Sequence, residues 1–201
     1  MTLDTLDDLR TLYPQPTERV RQKVIPALDR HCRHFIGLSP FVVLSTSDED
    51  LNLDASPRGG DPGFVRVVDD TTLLLPDAPG NNRLDSLENI VRTGRVGLLF
   101  LIPGVDETLR VNGRALLSTA AADIAACTTE RRAPKVAIRI SVGAAYLHCA
   151  KAFMRSRLWS EDAKIDRSTL PTIGEMIRDQ TGLAIVPESR EEMTRRYAAD
   201  L

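Results

Sequence analysis

The segment LLLPDAPGNNRLDSLENIV, residues 73–91, carries the side-chain arrangement with the clearest chemical meaning. Its apolar start predicts a buried strand, and a helix is predicted from about Asn82 to Arg92 after a Gly/Asn turn. The first N–H groups of a helix lack partners within the helix and attract anions. Arg83 and the asparagines Asn81 and Asn82 stand at this predicted helix start. The pattern therefore predicts a site for an anionic group.

Further polar residues on predicted strands and turns are candidates for the same site. Each has an ordinary structural explanation when taken alone, because asparagine caps helices, Ser-Pro forms turns and arginine lies on solvated strand faces. No catalytic residue is identified among them. The full set comprises Asp54, Ser56, Arg58, Arg66, Asp77, Asn81, Asn82, Arg83, Ser86, Asn89, Arg110, Asn112, Lys151, Arg155, Arg157 and Trp159.

Other kinds of site are disfavoured by the motifs. His31, Cys32 and His34 are close in sequence, but no paired ligands at a convincing spacing accompany them, so no metal site is predicted. A nucleophile elbow, a phosphate-binding loop and a dinucleotide fingerprint are all missing from the sequence. The chemistry of this chain is therefore expected to lie in ligand binding by polar groups on strands and turns.

The composition limits the class of protein. The chain has 201 residues, 42% of them hydrophobic, and a formal net charge of −2, which argues against a sequence-blind nucleic-acid binder. The longest buried-looking run, residues 96–102, is far shorter than the roughly 18 apolar residues of a membrane helix. Three widely spaced cysteines read as reduced thiols. We expect a cytoplasmic protein without a membrane or nucleic-acid partner.

The order of predicted elements indicates a mainly β fold with peripheral helices. Residues 1–36 form a predicted helical cover, in which Pro26 kinks or splits the second helix. Residues 37–160 alternate short strands with tight turns and predict a core of about six antiparallel strands, closed into a small barrel. Gly113 is a predicted bulge or bend. Residues 161–201 form a helical extension, and the whole is expected to be one domain.

Taken together, the motifs resemble a known family. The segments SPRG, LPD, GNNR, LRVNGRA and CAKAFMRSRLW occur in an order similar to that of the pyridoxamine 5'-phosphate oxidase-like flavoproteins, in a bacterial branch. The resemblance covers roughly residues 35–160 and implies an FMN-binding split β-barrel. It also implies that the anion predicted at the helix start is the phosphate of FMN.

The resemblance assigns phosphate binding to particular residues. In this family a strand arginine and polar residues at the following helix start hold the phosphate, which corresponds here to Arg66, Asn82 and Arg83, supported by Ser86 and Asn89. Arginine suits this role because its hydrogen bonds to phosphate are charge-assisted and can be bidentate. The helix dipole favours the same anion.

The resemblance also implies a site for the flavin ring. Such a ring needs hydrogen bonds at its pyrimidine edge and apolar cover on its faces. The segments DASP, VRV and LPD supply backbone groups for the edge, and apolar side chains from them supply the walls. The implied residues are Asp54, Ser56, Pro57, Val65, Val67, Pro76 and Asp77.

The sequence departs from true pyridoxamine phosphate oxidases at two points. Asn81 and Asn82 stand where those enzymes carry an arginine-lysine pair, and the C-terminal motif that binds the substrate phosphate is missing. Oxidation of vitamin B6 is therefore not implied. The expected activity is an FMN-dependent oxidoreductase that takes electrons from a reductant, such as a nicotinamide, and acts on an unknown small molecule. A non-catalytic flavin carrier or sensor, and a deazaflavin- or haem-binding barrel, are the alternatives.

The family resemblance implies a homodimer with FMN in a cleft shared by two chains. On this interpretation Lys151 and Arg155, four residues apart on one helical face, reach the ligand from the second chain. Trp159 would then cover the flavin ring. The alternative interpretation, a basic surface stripe with one buried tryptophan, fits the same residues equally well.

Overall fold

The structure, a computed structural model, describes residues 2–184 and 186–198. It divides into two compact units, Met1–Arg155 and Ser156–Leu201. The first unit contains a seven-stranded sheet. Its strands are β1 (Phe41–Ser47), β2 (Leu53–Gly59), β3 (Arg66–Asp69), β4 (Thr72–Pro76), β5 (Arg95–Leu101), β6 (Thr108–Ser118) and β7 (Ala137–His148).

Every strand pairing in the sheet is antiparallel, and the spatial order is β2-β1-β5-β6-β7-β4-β3. The predicted class, mainly β with peripheral helices, is confirmed. The expected closure into a barrel is wrong, because β2 and β3 end the order without pairing to each other among the described residues. Seven strands form where about six were expected from turn spacing.

Strand β2 runs further than the composition of its sequence predicts. Ser56 and Arg58, assigned to a loop by the SPRGG composition, pair with Leu44 and Val42 of β1. The proline between them is tolerated because β2 is an edge strand, where a missing N–H on the outer side breaks no ladder bond. This extension places more polar side chains on the sheet than the sequence analysis predicts.

The helices lie around the sheet and at the C-terminal end of the chain. The predicted second helix is split, as expected around Pro26, into two helices joined by a segment in which Ile25 forms an isolated bridge with Ala145 of β7. The helices are α1 (Leu6–Leu12), α2 (Glu18–Gln22), α3 (Arg30–Leu38), α4 (Asp85–Thr93), α5 (Ala121–Cys127), α6 (Lys151–Ser156), α7 (Ile173–Thr181) and α8 (Arg190–Tyr197).

The main core of the first unit lies on the inner face of the sheet, where alternate residues of each strand point inward. A second, smaller cluster of Leu74, Cys127 and Ala137 lies on the other face of β4 and β7, against α5. Helices α3 and α4 contribute Ile36 and Ile90 to the same core. The largest fully buried side chains are Phe100, Leu28, Ile36, Leu44, Leu73, Leu74, Leu75, Leu98, Leu109, Ile138, Ile140 and Val42. Most of them are strand residues, so the sheet forms the scaffold on which any site must be built.

The second unit contains α7 and α8, each begun by a capping box. Thr172 and Glu175 cap α7, and Ser189 and Glu192 cap α8 in the same reciprocal way. The predicted extension 161–201 includes residues 185 and 199–201, which lie outside the described residues. The division of the chain at residues 36 and 160 stays a prediction.

Candidate functional site

A cluster of hydrogen-bonded polar side chains joins β2 to α4. At its centre, the Asp54 carboxylate accepts hydrogen bonds from Ser86 Oγ at 2.5 Å, from Ser56 Oγ at 2.8 Å and from Thr46 Oγ1 at 3.3 Å. These donors come from α4, β2 and β1 respectively. One carboxylate therefore ties two strands to the helix.

Arg58 and Asn89 extend this polar cluster in two directions. Arg58 donates to Ser86 Oγ at 3.1 Å and to the carbonyl oxygen of Pro57 at 2.9 Å. Asn89 Nδ2 donates to Thr46 Oγ1 at 3.0 Å. The cluster therefore unites four of the predicted site residues, Asp54, Ser56, Ser86 and Asn89, with Arg58 and Thr46.

The strand and helix periods explain how these side chains meet. Asp54, Ser56 and Arg58 occupy alternate positions of β2, so they share one face of the sheet. On α4, Ser86 and Asn89 lie three residues apart and share the buried side of the helix. Because the neighbouring Leu87 and Ile90 are buried in the core, the two polar side chains are held against the strands.

Asp77 lies at the end of β4, within electrostatic reach of the cluster. Burial raises the pKa of its carboxyl, and the positive charges of Arg58, Arg132 and Lys135 oppose that rise. Its backbone N–H donates to the carbonyl oxygen of Val136 at 3.0 Å. Arg58 therefore donates a hydrogen bond to Ser86, and its charge also acts on Asp77.

The start of α4 differs from the prediction. The helix begins at Asp85 instead of Asn82, because Asn82 and Leu84 adopt left-handed backbone conformations with φ of 59° and 58°. Leu84 is the N-cap and provides no side-chain cap, so the interpretation of Asn82 as a helix cap is wrong. The first N–H groups of α4 are consequently left without a capping side chain.

Asn81 and Arg83 shape the turn that precedes α4. Asn81 Oδ1 accepts a hydrogen bond from the backbone N–H of Arg83 at 3.0 Å, which is an Asx turn. The Arg83 side chain is 77% exposed and pairs with Asp85, with Nε and Oδ2 2.6 Å apart. Arg83 thus lies beside the helix start, as predicted, but a carboxylate already partners it.

Arg66 lies on β3, away from the hydrogen bonds of the cluster. Its guanidinium donates to the carbonyl oxygen of Gly63 at 2.9 Å, and the side chain is exposed. Its positive charge acts on Cys127 of α5, where burial is nevertheless the dominant influence and raises the pKa of the thiol. The predicted walls of the flavin site differ in exposure: Val65 is buried, Val67 and Pro76 are half-buried, and Pro57 is exposed.

The remaining predicted site residues lie near the boundary between the units. Lys151 and Arg155 are exposed on α6 in the first unit, and Trp159 is half-buried in the second. Thr46 is the residue of the cluster that the sequence analysis misses. Arg58 is among the sequence candidates, but the resemblance assigns it no role, because its position beside Ser56 on one face requires the strand to continue past Pro57.

In residues 2–184 and 186–198, no group of three or more His, Cys, Asp and Glu side chains is arranged to hold a metal ion. Within the same ranges, no helix has the length and apolarity needed to cross a membrane.

Residues 28–149 match the family model described as pyridoxamine 5'-phosphate oxidase. The match spans more than half of the chain and covers all seven strands and α4. The predicted family and fold class are therefore confirmed. No curated protein matches the chain.

Several bacterial proteins of known structure are similar to this chain. A variant of HupZ from Group A Streptococcus aligns with a TM-score of 0.50 and 18% identity, over 60% of this chain and 99% of that one. A putative pyridoxamine 5'-phosphate oxidase from Lactobacillus delbrueckii aligns with a TM-score of 0.47 and 20% identity, over 61% of this chain and 95% of that one. An FMN-binding protein from Syntrophomonas wolfei aligns with a TM-score of 0.44 and 13% identity, over 58% of this chain and 83% of that one. At these identities the likeness concerns the fold alone.

Proposed function

The chain belongs to the pyridoxamine 5'-phosphate oxidase family, and from this premise we propose that it is an FMN-dependent oxidoreductase acting on a small molecule. The observation that carries the proposal is the link from Arg58 to Ser86, which brings a strand arginine to the buried side of α4. A cation, an uncapped helix start and half-buried strand residues meet at this place. This combination fits a ligand with one anionic end and one flat apolar part.

The donors of the cluster fit the phosphate of FMN. The Ser86 hydroxyl donates a hydrogen bond to Asp54 and accepts one from Arg58, so its role is to position the arginine. Arg58 forms no ion pair with a carboxylate in the described part of the chain. Its remaining N–H groups can therefore bind a phosphate, together with the free N–H groups at the start of α4.

Arg83 and Asn82 have supporting roles in this proposal. Arg83 reaches a phosphate only by sharing or leaving Asp85, since the two side chains are paired. Asn82 projects from a turn whose left-handed backbone conformation holds it just before the helix. Arg66, whose guanidinium bonds to Gly63, is proposed to contribute less than Arg58 to phosphate binding.

The flat part of the ligand is proposed to lie against the ends of β3 and β4. Val67 and Pro76 offer half-buried apolar surface there, and the backbone of the LPD segment offers hydrogen-bonding groups. When bound, FMN supplies the two-electron chemistry, and the protein supplies position and exclusion of water. Asp77, whose pKa is raised by burial, is an ionisable group on which the charge of Arg58 acts.

The homodimer is proposed on the character of the outward face of the sheet. On this face, two cross-strand pairs of apolar side chains join β1 to β5: Phe41 with Leu101, and Val43 with Leu99. Phe41 is 36% exposed. Beside them, a groove of about 540 Å³ is lined by small residues such as Gly97 and by strand backbone. A second copy of the chain would cover this apolar surface. Lys151, Arg155 and Trp159 are proposed to approach the ligand from that copy, and a cytoplasmic location stays a prediction.

The proposal is tested by the spectrum and the redox activity of the purified protein. The expected result is a yellow protein with flavin absorbance bands, whose extracted ligand has the mass of FMN. With NADH or NADPH under anaerobic conditions, the flavin band should bleach, and a quinone should restore it. A flavin that binds but is not reduced would indicate a carrier or sensor. A colourless protein that takes up a deazaflavin or haem, but not FMN, would overturn the proposal.

A further inference from the structure

Outside the candidate flavin site, a group of basic side chains surrounds Tyr146 near the end of β7. Arg110 of β6 is the direct register partner of Tyr146, so the two side chains share one face of the sheet. The Arg110 guanidinium carbon lies 5.7 Å from the centre of the Tyr146 ring. His148, two residues further along β7, has its ring centre 4.9 Å from that of Tyr146.

Lys23 joins this group from the other side of β7. The bridge between Ile25 and Ala145 places the chain that follows α2 alongside β7, with hydrogen bonds of 3.0 and 2.8 Å. Two residues earlier, Lys23 Nζ donates to the carbonyl oxygen of Leu147 at 3.0 Å. The same ammonium group lies 5.0 Å from the centre of the Tyr146 ring. Backbone pairing on both sides of β7 thus holds Lys23 and Arg110 near one tyrosine.

The charges of this basic group are not balanced by acidic side chains. Neither Lys23 nor Arg110 forms an ion pair with a carboxylate within the described residues. Arg110 uses Nε on the amide oxygen of Asn112, at 3.2 Å, which leaves its other donors for a ligand. Since the whole chain has a net charge of −2, this local excess of positive charge is not a consequence of composition.

We propose that Lys23, Arg110 and His148 form a binding site for a phosphate group, separate from the Arg58 cluster. A phosphate dianion matches two fixed cations and a third group that can take up a proton, and arginine and lysine are the side chains that bind phosphate most often. The ligand class is a phosphorylated small molecule. Under the proposed function, this is the substrate or the nucleotide reductant.

The histidine provides a direct measurement of occupancy. Burial lowers the pKa of His148, and the positive charges of Lys23 and Arg110 lower it further. A bound phosphate dianion favours the imidazolium form, so the pKa of His148 should rise by about one unit in saturating phosphate. The chain has only two other histidines, His31 and His34, which are exposed on α3 and serve as internal controls.

The experiment is a histidine NMR titration with pH, in inorganic phosphate and in chloride at equal ionic strength. The expected result is a phosphate-dependent rise for His148 and no change for His31 and His34. Equal shifts of all three, or no difference between the two salts, would overturn the site. In Arg110→Gln and in Lys23→Gln, the difference between the His148 pKa in phosphate and that in chloride should fall to less than half of its wild-type value.

Arg95→Gln is the matched control, because Arg95 lies on the neighbouring strand four residues before Leu99, the partner of Arg110. The Arg95→Gln variant should keep the full phosphate-dependent rise in the pKa of His148. If that rise were reduced as much as in Arg110→Gln, the proposal would be contradicted.

A second arm separates this inference from the proposed function. Saturating FMN should leave the phosphate-dependent rise of His148 intact, and Arg58→Gln should not change it. If FMN alone raises the pKa of His148 and riboflavin does not, the basic group holds the cofactor phosphate, and the separate site is refuted. If phosphate shifts His148 while FMN does not bind at all, the proposed function fails and the phosphate site stands.

Discussion

At the scale of single residues, the structure distinguishes Arg58 from Arg66, the arginine to which the family resemblance assigns the phosphate. Arg58 reaches Ser86 on α4, whereas Arg66 bonds to the carbonyl oxygen of Gly63 on its own loop. Asp54 reinforces the difference, because it holds Ser86 at 2.5 Å and so fixes the acceptor of Arg58. A phosphate at the start of α4 should therefore depend on Arg58 more than on Arg66.

Arg58→Gln should weaken FMN binding and leave riboflavin binding nearly unchanged, since riboflavin has no phosphate. The loss of a charge-assisted hydrogen bond costs roughly 1.5 to 3 kcal/mol, or about one to two decades in affinity. Arg66→Gln is the matched control and should have a smaller effect on FMN. Isothermal titration of the wild-type and the two variant apoproteins with both ligands measures the six affinities. If Arg66→Gln were the more damaging change, the phosphate would lie at β3.

At the scale of secondary-structure elements, a bulge determines how the two longest strands, β6 and β7, pair. The register shifts between Asn112 and Gly113, so the irregularity predicted at Gly113 is present, but the extra, unpaired residue is Gly143 of β7. A Cβ atom at Gly113 would lie 2.1 Å from the carbonyl oxygen of Ser141, a separation that backbone atoms cannot accommodate without moving. Arg110 lies just before this shift, so the bulge also bears on the alignment of the basic group around Tyr146.

Gly113→Ala should destabilise the fold by roughly 1 to 3 kcal/mol, because overpacking forces the backbone to shift. Gly37→Ala is a suitable comparison, since Gly37 lies in α3 with no atom within 4 Å of the added Cβ. That change should stabilise the protein by up to about 1 kcal/mol, as alanine is the better helix former. Urea denaturation gives both free energies. If Gly113→Ala left the free energy of unfolding unchanged, the backbone around the bulge would be able to shift at little cost.

Helix α3 carries a thiol whose ionisation is linked to stability. Burial, with the Asp29 carboxylate adding to it, raises the pKa of the Cys32 thiol from an ordinary value of 9.0 to about 11. Between these values the unfolded chain has lost the proton and the folded chain keeps it. The unfolded state then binds fewer protons, so the free energy of unfolding falls as the pH rises.

The stabilisation from Cys32 should be intact below pH 9 and should be lost as the pH approaches 11, by roughly 2 kcal/mol. Cys32→Ala removes this slope, whatever its effect on stability at neutral pH. Cys149→Ala is the control: that thiol is exposed, and a hydrogen bond with the Lys151 backbone lowers its pKa, so Cys149 adds no fall in the free energy of unfolding between pH 9 and 11. Chemical denaturation at a series of alkaline pH values tests this, and parallel curves for wild type and Cys32→Ala would contradict it.

At the scale of the whole molecule, the open sheet leaves an apolar outward face. Phe41 and Leu101 are direct partners on this face, and the core lies on the other side of the sheet. Closure of the sheet would enclose only its inner face, and on the outward face Phe41 is exposed and Leu101 half-buried. The proposed homodimer follows from this exposure together with the family.

Phe41→Glu should convert the proposed dimer into a monomer of 22.2 kDa, since a charge would be buried against apolar surface. Its affinity for FMN should fall as well if the ligand lies between the two chains. Val91→Glu, at a 71% exposed position on α4, introduces the same charge and should leave the dimer intact. Sedimentation velocity with and without FMN measures both effects. A wild-type monomer that binds FMN tightly would refute the shared cleft.

The sequence by itself determined the family, the mainly β class and most of the polar residues that meet in the cluster between β2 and α4. These depend on local patterns: alternation along strands, turn residues, and motifs such as GNNR and LRVNGRA. The break near Pro26 and the irregularity at Gly113 were predictable for the same reason, because proline and glycine mark such points in a sequence, although the extra residue of the bulge is Gly143.

Only the tertiary structure decided which of these residues meet. Arg58 and Ser86 are 28 residues apart, and their contact depends on β2 continuing past Pro57 along β1 and on α4 packing against those strands. The start of α4 at Asp85 and the open sheet have the same origin. They follow from backbone conformation and strand pairing that are set by distant contacts, which no local pattern of residue types contains.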